Sequence, residues 1–208
     1  MTGRAPLNVK RPEDGTGPAD GRGPGSSPPP TARLFVAIPF PEDALPSLRR
    51  ALSDREDLLE RIPKSLHLTL RFLGNVPEGL VTAVADALAG ASGPPSFELR
   101  LGPLGVFKRR GGTVLWAGIA PSGELAELKN KLDRALAPLP LASAAKRPGA
   151  FAPHVTLARL KPKGPPPPAN PGGRKPEWAF TPGSFGLFSS LLRPEGALHS
   201  LLREYPLS

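Results

Sequence analysis

Two short stretches constrain this chain more than anything else in it: SLHLTLRFLG at residues 65–74 and FAPHVTLARLK at 151–161. Each reads as a β-strand, because apolar and polar residues alternate with a period of two. In the first, Leu66, Leu68, Leu70 and Phe72 fall on one face and Ser65, His67, Thr69 and Arg71 on the other. In the second, His154, Thr156 and Ala158 share a face opposite Val155 and Leu157. A histidine followed two places on by threonine means little alone. Repeated on matching strands, each after a helical segment, in a chain with only three histidines, it marks an internal repeat. The fold must then have two related lobes, each presenting one His-x-Thr strand to a shared cleft. The third histidine, His199, is followed by Ser-Leu and has no threonine partner. It reads as a structural or surface residue.

The remaining segments agree with such a fold. Residues 1–31 are dense in Pro, Gly and Ser and read as a disordered tail, with the domain running over 32–208. RLFVAIPF (33–40) is a short apolar strand, and residues 41–62 have a helical pattern. Residues 77–92 show helix spacing at Leu80, Val81, Val84 and Leu88. Residues 97–120 read as a hairpin whose tip, KRRGG, is a solvated basic turn, and Trp116 within it reads as core. Residues 122–139 read as another helix, with Leu125, Leu128, Leu132 and Leu136 as its stripe and Ser122 as its cap. A proline-rich loop (161–178) cannot be an interior strand, and two closing apolar runs turn at Pro194-Glu195-Gly196. The expected class is α+β, bilobal, with two pseudo-twofold lobes of mostly antiparallel sheet, outer helices and a central cleft.

Two histidines facing one cleft suit displacement at phosphorus. An imidazole titrates near pH ~6.5, so one can accept a proton from water while its twin donates one to the departing oxygen. Thr69 and Thr156 would donate hydroxyl hydrogen bonds to the phosphate oxygens. The scheme calls for no metal and no cofactor. The net charge of +9 favours an anionic partner such as RNA, and the absence of cysteine excludes thiolate chemistry and cysteine-bound zinc. No apolar run approaches the ~20 residues of a membrane span, and no signal-peptide centre is present, which suggests a soluble cytoplasmic protein.

With these residues in hand, the chain resembles the 2H phosphoesterases, in particular the RNA 2′,3′-cyclic phosphodiesterases once named 2′–5′ RNA ligases. The matching pieces are RLFVAIP, LHLTLRFLG, VLWAG, FAPHVTLARLK and a closing apolar hairpin ending YPLS, spread from about residue 33 to the C-terminus. The resemblance implies a bilobal fold and metal-independent hydrolysis of a 2′,3′-cyclic phosphate to a 2′-phosphomonoester. It also implies a reversible, ATP-independent 2′–5′ joining reaction. Carried over by motif position, His67 is the general acid, His154 the general base, and Thr69 and Thr156 hold the phosphate. Phe72 would meet the nucleobase and Arg159 the phosphate. Both lie five residues after their histidines, an odd offset that strict alternation sends to the opposite face. A bulge, a twist or a strand end is required to bring them back, and Gly74 makes one possible beside Phe72. Implied partners are RNA with 2′,3′-cyclic phosphate ends, tRNA fragments among them, or small cyclic nucleotides, with no membrane and no obligate protein partner. The alternative is a basic module that binds RNA or phosphate without turnover.

Overall fold

In the computed structural model the described residues are 29–44, 59–91, 96–109, 112–141, 151–160, 178–194 and 196–207. Their strands are β1 (Thr31–Pro39), β2 (Leu59–Arg61), β3 (His67–Pro77), β4 (Leu99–Arg109), β5 (Gly112–Ile119), β6 (His154–Leu160), β7 (Ala179–Phe180), β8 (Ser184–Arg193) and β9 (Gly196–Pro206). The α-helices that lie wholly among the described residues are α1 (Val81–Ala89) and α2 (Gly123–Leu136). The strands join one nine-stranded sheet in the order β7-β4-β5-β6-β3-β1-β8-β9, with β2 pairing β6. Every pairing is antiparallel. Outward from the centre, β6-β5-β4 on one side answers β3-β1-β8 on the other. This is the pseudo-twofold arrangement that the repeated motif demands.

Both helices cover the same face. Helix α2 buries Leu125, Leu128, Leu132 and Leu136, one stripe at helical spacing, and begins where the Ser122 side chain accepts a hydrogen bond from the Leu125 amide. Helix α1 buries Val81, Val84, Ala85 and Leu88. These side chains form one core with Leu34, Val36 and Ile38 of β1, Leu68 of β3, Leu115 and Ala117 of β5, and Val155 and Leu157 of β6. Each buried leucine contributes about 1.5–3 kcal/mol. The Tyr205 hydroxyl of β9 ties to α1 by donating to the Ala85 carbonyl at 2.9 Å, and Arg203 pairs with Asp86 at 3.0 Å. The opposite face of the sheet is left for the histidines.

Three local differences from the sequence expectation have physical causes. Strand β1 begins at Thr31, inside the expected tail, because Thr31 and Ala32 continue the ladder to Pro77 and Val76. The expected helix over 41–62 ends differently: Leu59–Arg61 is a strand, held by pairing with Leu160 and Arg159 of β6. The ladder to β6 overrides local helix propensity there. Trp116 is only partly buried and lies on the histidine face, as shown below. Residues 1–28 of the tail, 45–58 of the expected helix, Arg110–Gly111 of the hairpin tip and 161–177 of the proline-rich loop lie outside the described residues.

Candidate active site

The two central strands meet at one registered pair, Leu68 opposite Val155. Both side chains are fully buried on the helix-covered face. Residues one step away on either strand therefore point to the open face. Extending the antiparallel register by one residue sets His67 across from Thr156 and Thr69 across from His154. All four sequence-selected side chains are brought together, and the pseudo-twofold axis passes between Leu68 and Val155.

The odd offset of Phe72 and Arg159 is resolved by two β-bulges at equivalent positions. Along β1–β3 the register runs Ala37 opposite Thr69, then Val36 opposite Arg71, so Leu70 is an extra residue. Along β5–β6 it runs Trp116 opposite Thr156, then Leu115 opposite Ala158, so Leu157 is extra. In each motif the leucine after the threonine is the bulged residue. One extra residue reverses the parity of everything beyond it. Phe72 returns to the histidine face, 63% exposed, and Arg159 is likewise exposed on that side. The same reversal corrects two assignments made by simple alternation. Arg71 leaves the polar face and pairs beneath the sheet with Asp133 of α2, which also holds Lys129. Ala158 leaves the histidine face and is fully buried.

Each imidazole has its own wall. The His67 ring lies 5.2 Å from that of Phe35 and 5.1 Å from that of His199, the latter at 80°. The His154 ring lies 5.0 Å from Phe107 and 5.9 Å from Trp116. Trp116 stacks on Phe107 at 4.9 Å and lies over Gly105, where any Cβ would run into the indole. His154 Nδ1 is within 2.8 Å of the Ala152 carbonyl oxygen. With Nδ1–H donating there, the Nε2 lone pair of the neutral ring is left for the cleft. His67 is held well below the ordinary imidazole range, at about 4, first by burial, then by His199 and His154. Burial lowers His199 as well.

The sequence reading therefore missed two members of the cleft wall, His199 and Trp116. The signal for Trp116 was its register opposite Thr156. For His199 it was its place across the β8–β9 hairpin from Ser190, on the face of Phe188. Both signals need the strand pairing. Of the basic hairpin tip, Lys108 ends exposed on β4.

The description "2′-5′ RNA ligase superfamily" attaches to a family model that matches residues 39–191. The chain belongs to the 2′-5′ RNA ligase superfamily. Superfamily relatives of known name extend over nearly all of the domain. An RNA 2′,3′-cyclic phosphodiesterase of Archaeoglobus fulgidus is 28% identical over 185 residues, 83% of this chain and 99% of that protein. Its Thermus thermophilus counterpart is 31% identical over 188 residues, 84% of this chain and 90% of that one. The Geobacillus stearothermophilus protein of the same name is 32% identical over 134 residues, and this chain spans 42% of its length. Among solved structures, Escherichia coli LigT complexed with 3′-AMP superposes with a TM-score of 0.68 at 27% identity, covering 86% of this chain and 99% of that one. A crystal structure from Thermus thermophilus gives 0.68 at 27% identity, covering 84% and 97%.

Proposed function

We propose that this chain hydrolyses RNA 2′,3′-cyclic phosphate ends to 2′-phosphomonoesters, with His67 as general acid and His154 as general base. The observation that carries the reading is the shared open face, where two imidazoles and two threonine hydroxyls flank one axis across the Leu68–Val155 pair. Superfamily membership and similarity to proteins named RNA 2′,3′-cyclic phosphodiesterase support the reaction class.

The steps follow from the geometry. The cyclic phosphate sits between the imidazoles, its non-bridging oxygens taking hydrogen bonds from Thr69 and Thr156. Water attacks phosphorus and gives its proton to His154 Nε2, the lone pair left free by the Ala152 contact. The P–O3′ bond breaks and the 3′-oxygen takes the proton from His67. His67 is neutral at pH 7 in the empty cleft, since its titration lies near pH 4. A bound phosphate anion beside the ring favours its charged form and opposes that depression, so substrate itself loads the acid. Phe72, exposed on the same face, offers a surface for the base, and Arg159 adds positive charge for the phosphate. A 5′-hydroxyl in place of water would give 2′–5′ joining by the same proton movements, without ATP. RNA ends, including those of tRNA fragments, are the substrates that fit the basic charge.

The test is product analysis on a short RNA ending in 2′,3′-cyclic phosphate, with EDTA present. Wild type is expected to release a 2′-phosphate end, and His67→Ala and His154→Ala to lose most of that activity. Binding without turnover by wild type would instead make the paired strands a recognition cleft.

A further inference from the structure

His199 contacts the His67 ring nearly perpendicularly, at 5.1 Å between centroids, and both rings rest against Phe35, at 4.9 and 5.2 Å. Its Nδ1 is buried and has no hydrogen-bond partner among the described residues. Leaving a buried polar atom unpaired costs about 1–3 kcal/mol, which an apolar ring packed on Phe35 would avoid. Packing alone therefore gives no reason for an imidazole at this position. What an imidazole adds is a proton site one ring away from His67.

We propose that His199 is a positioning residue that governs when His67 carries its proton. The two rings act as a pair that is protonated in sequence, His199 first in the empty cleft and His67 first once a phosphate anion is bound. The assignment deepens the functional reading above and rests on it for the role of His67. Two like charges at this distance in a half-buried site repel, so the pair takes its protons in sequence rather than together. His67 is the more buried of the two and has His154 as a second neighbour, which favours His199 for the first proton. An anion between His67 and His154 reverses the order, because it lies on the far side of His67 from His199. A neutral His199 beside a charged His67 then offers an aromatic contact to the cation, as Phe35 does. Among the described residues of β6, β1 and β9, the other charged or titratable groups on this face are His154 and Arg159 of β6, Arg33 of β1 and Glu204 of β9, whose carboxylate accepts from the Ser184 hydroxyl. These groups stay charged or unchanged when His199 is replaced, so a shift in His67 reports the pair.

With three histidines in the sequence, ring-proton NMR resolves each titration separately. The experiment follows the three rings against pH in wild type, His199→Phe and His199→Gln, without and with saturating inorganic phosphate. In wild type His199 is expected to gain its proton before His67 as pH falls, and phosphate to invert that order. Removing the like charge in either variant is expected to raise the His67 midpoint by about one unit in the free protein. The alkaline limb of the rate profile on cyclic-phosphate RNA should shift upward with it, whereas a merely structural role would lower the rate evenly at all pH. The proposal is overturned if both variants leave the His67 midpoint in place, or if His67 takes the first proton in wild type. Wild type that shows the exchange but leaves the RNA intact would overturn the functional reading and leave the coupled pair standing.

Discussion

The two lobes carry the same motif and the same bulge, yet they treat their histidines differently. On the β5–β6 side, His154 is braced through Nδ1 by the Ala152 carbonyl and walled by Phe107 and Trp116. On the β1–β3 side, His67 is walled by Phe35 and a second imidazole, and burial with positive neighbours pushes it down to about 4. Below the sheet the contrast continues. The residue after the bulge is Arg71 in one lobe, tied to Asp133, and Ala158 in the other, packed in the core. Duplication supplies two copies of a group; the surroundings make them unlike.

The sharpest way to break the comparison is to remove each histidine in turn. His67→Ala and His154→Ala should each lower kcat by about 10³-fold, near 4 kcal/mol, but should abolish opposite limbs of the pH–rate profile. The alkaline limb belongs to the acid and should vanish in the first variant; the acid limb should vanish in the second. Loss of the same limb in both would erase the proposed division.

Stability against pH separates the lobes without any substrate. The folded protein resists protonating His67 until about pH 4, whereas the unfolded chain takes that proton near 6.5. Between those values the unfolded state binds more protons, so stability falls as pH drops through the window, by up to about 3 kcal/mol. Urea unfolding of His67→Asn between pH 7 and 4 should show that much less acid destabilisation, while His154→Asn should keep most of it, losing only the small part that His154 itself contributes.

A smaller effect tests the exposed ring. Phe72→Ala is expected to raise KM about tenfold with little change in kcat, since a base contact is made equally in ground and transition states. An unchanged KM would remove Phe72 from substrate binding. Smallest of all, Tyr205→Phe loses the hydroxyl that joins β9 to α1, at a cost of about 1 kcal/mol, readable as a lowered Tm at unaltered activity.

Much of this arrangement was legible in the sequence, and what was not has a common cause. The leucine stripe of α2, the closing hairpin and the four motif residues follow from local periodicity, which the neighbouring strands leave intact. Phe72, Arg159, Arg71 and Ala158 escaped the period-two rule because a bulge is settled by the register of the partner strand, β1 in one lobe and β5 in the other. The offset of five hinted at such a bulge, but it could not say which residue was extra. His199 reaches His67 only because β8 and β9 stack outward from β1, a matter of strand order. Trp116 has apolar neighbours in sequence, so nothing local separates a core indole from one beside a cleft.

The bulged leucines have a consequence for how the domain tolerates change. A strand has something like a reading frame, with two settings instead of three, and Leu70 and Leu157 are where each motif changes frame. Flattening either bulge, so that its leucine took a regular place in the ladder, would act as a frameshift confined to a few side chains. The histidine and threonine before it would keep their side of the sheet, while the arginine or phenylalanine after it would be delivered to the wrong one. With not one residue altered, the chain would present half of its site to its own interior.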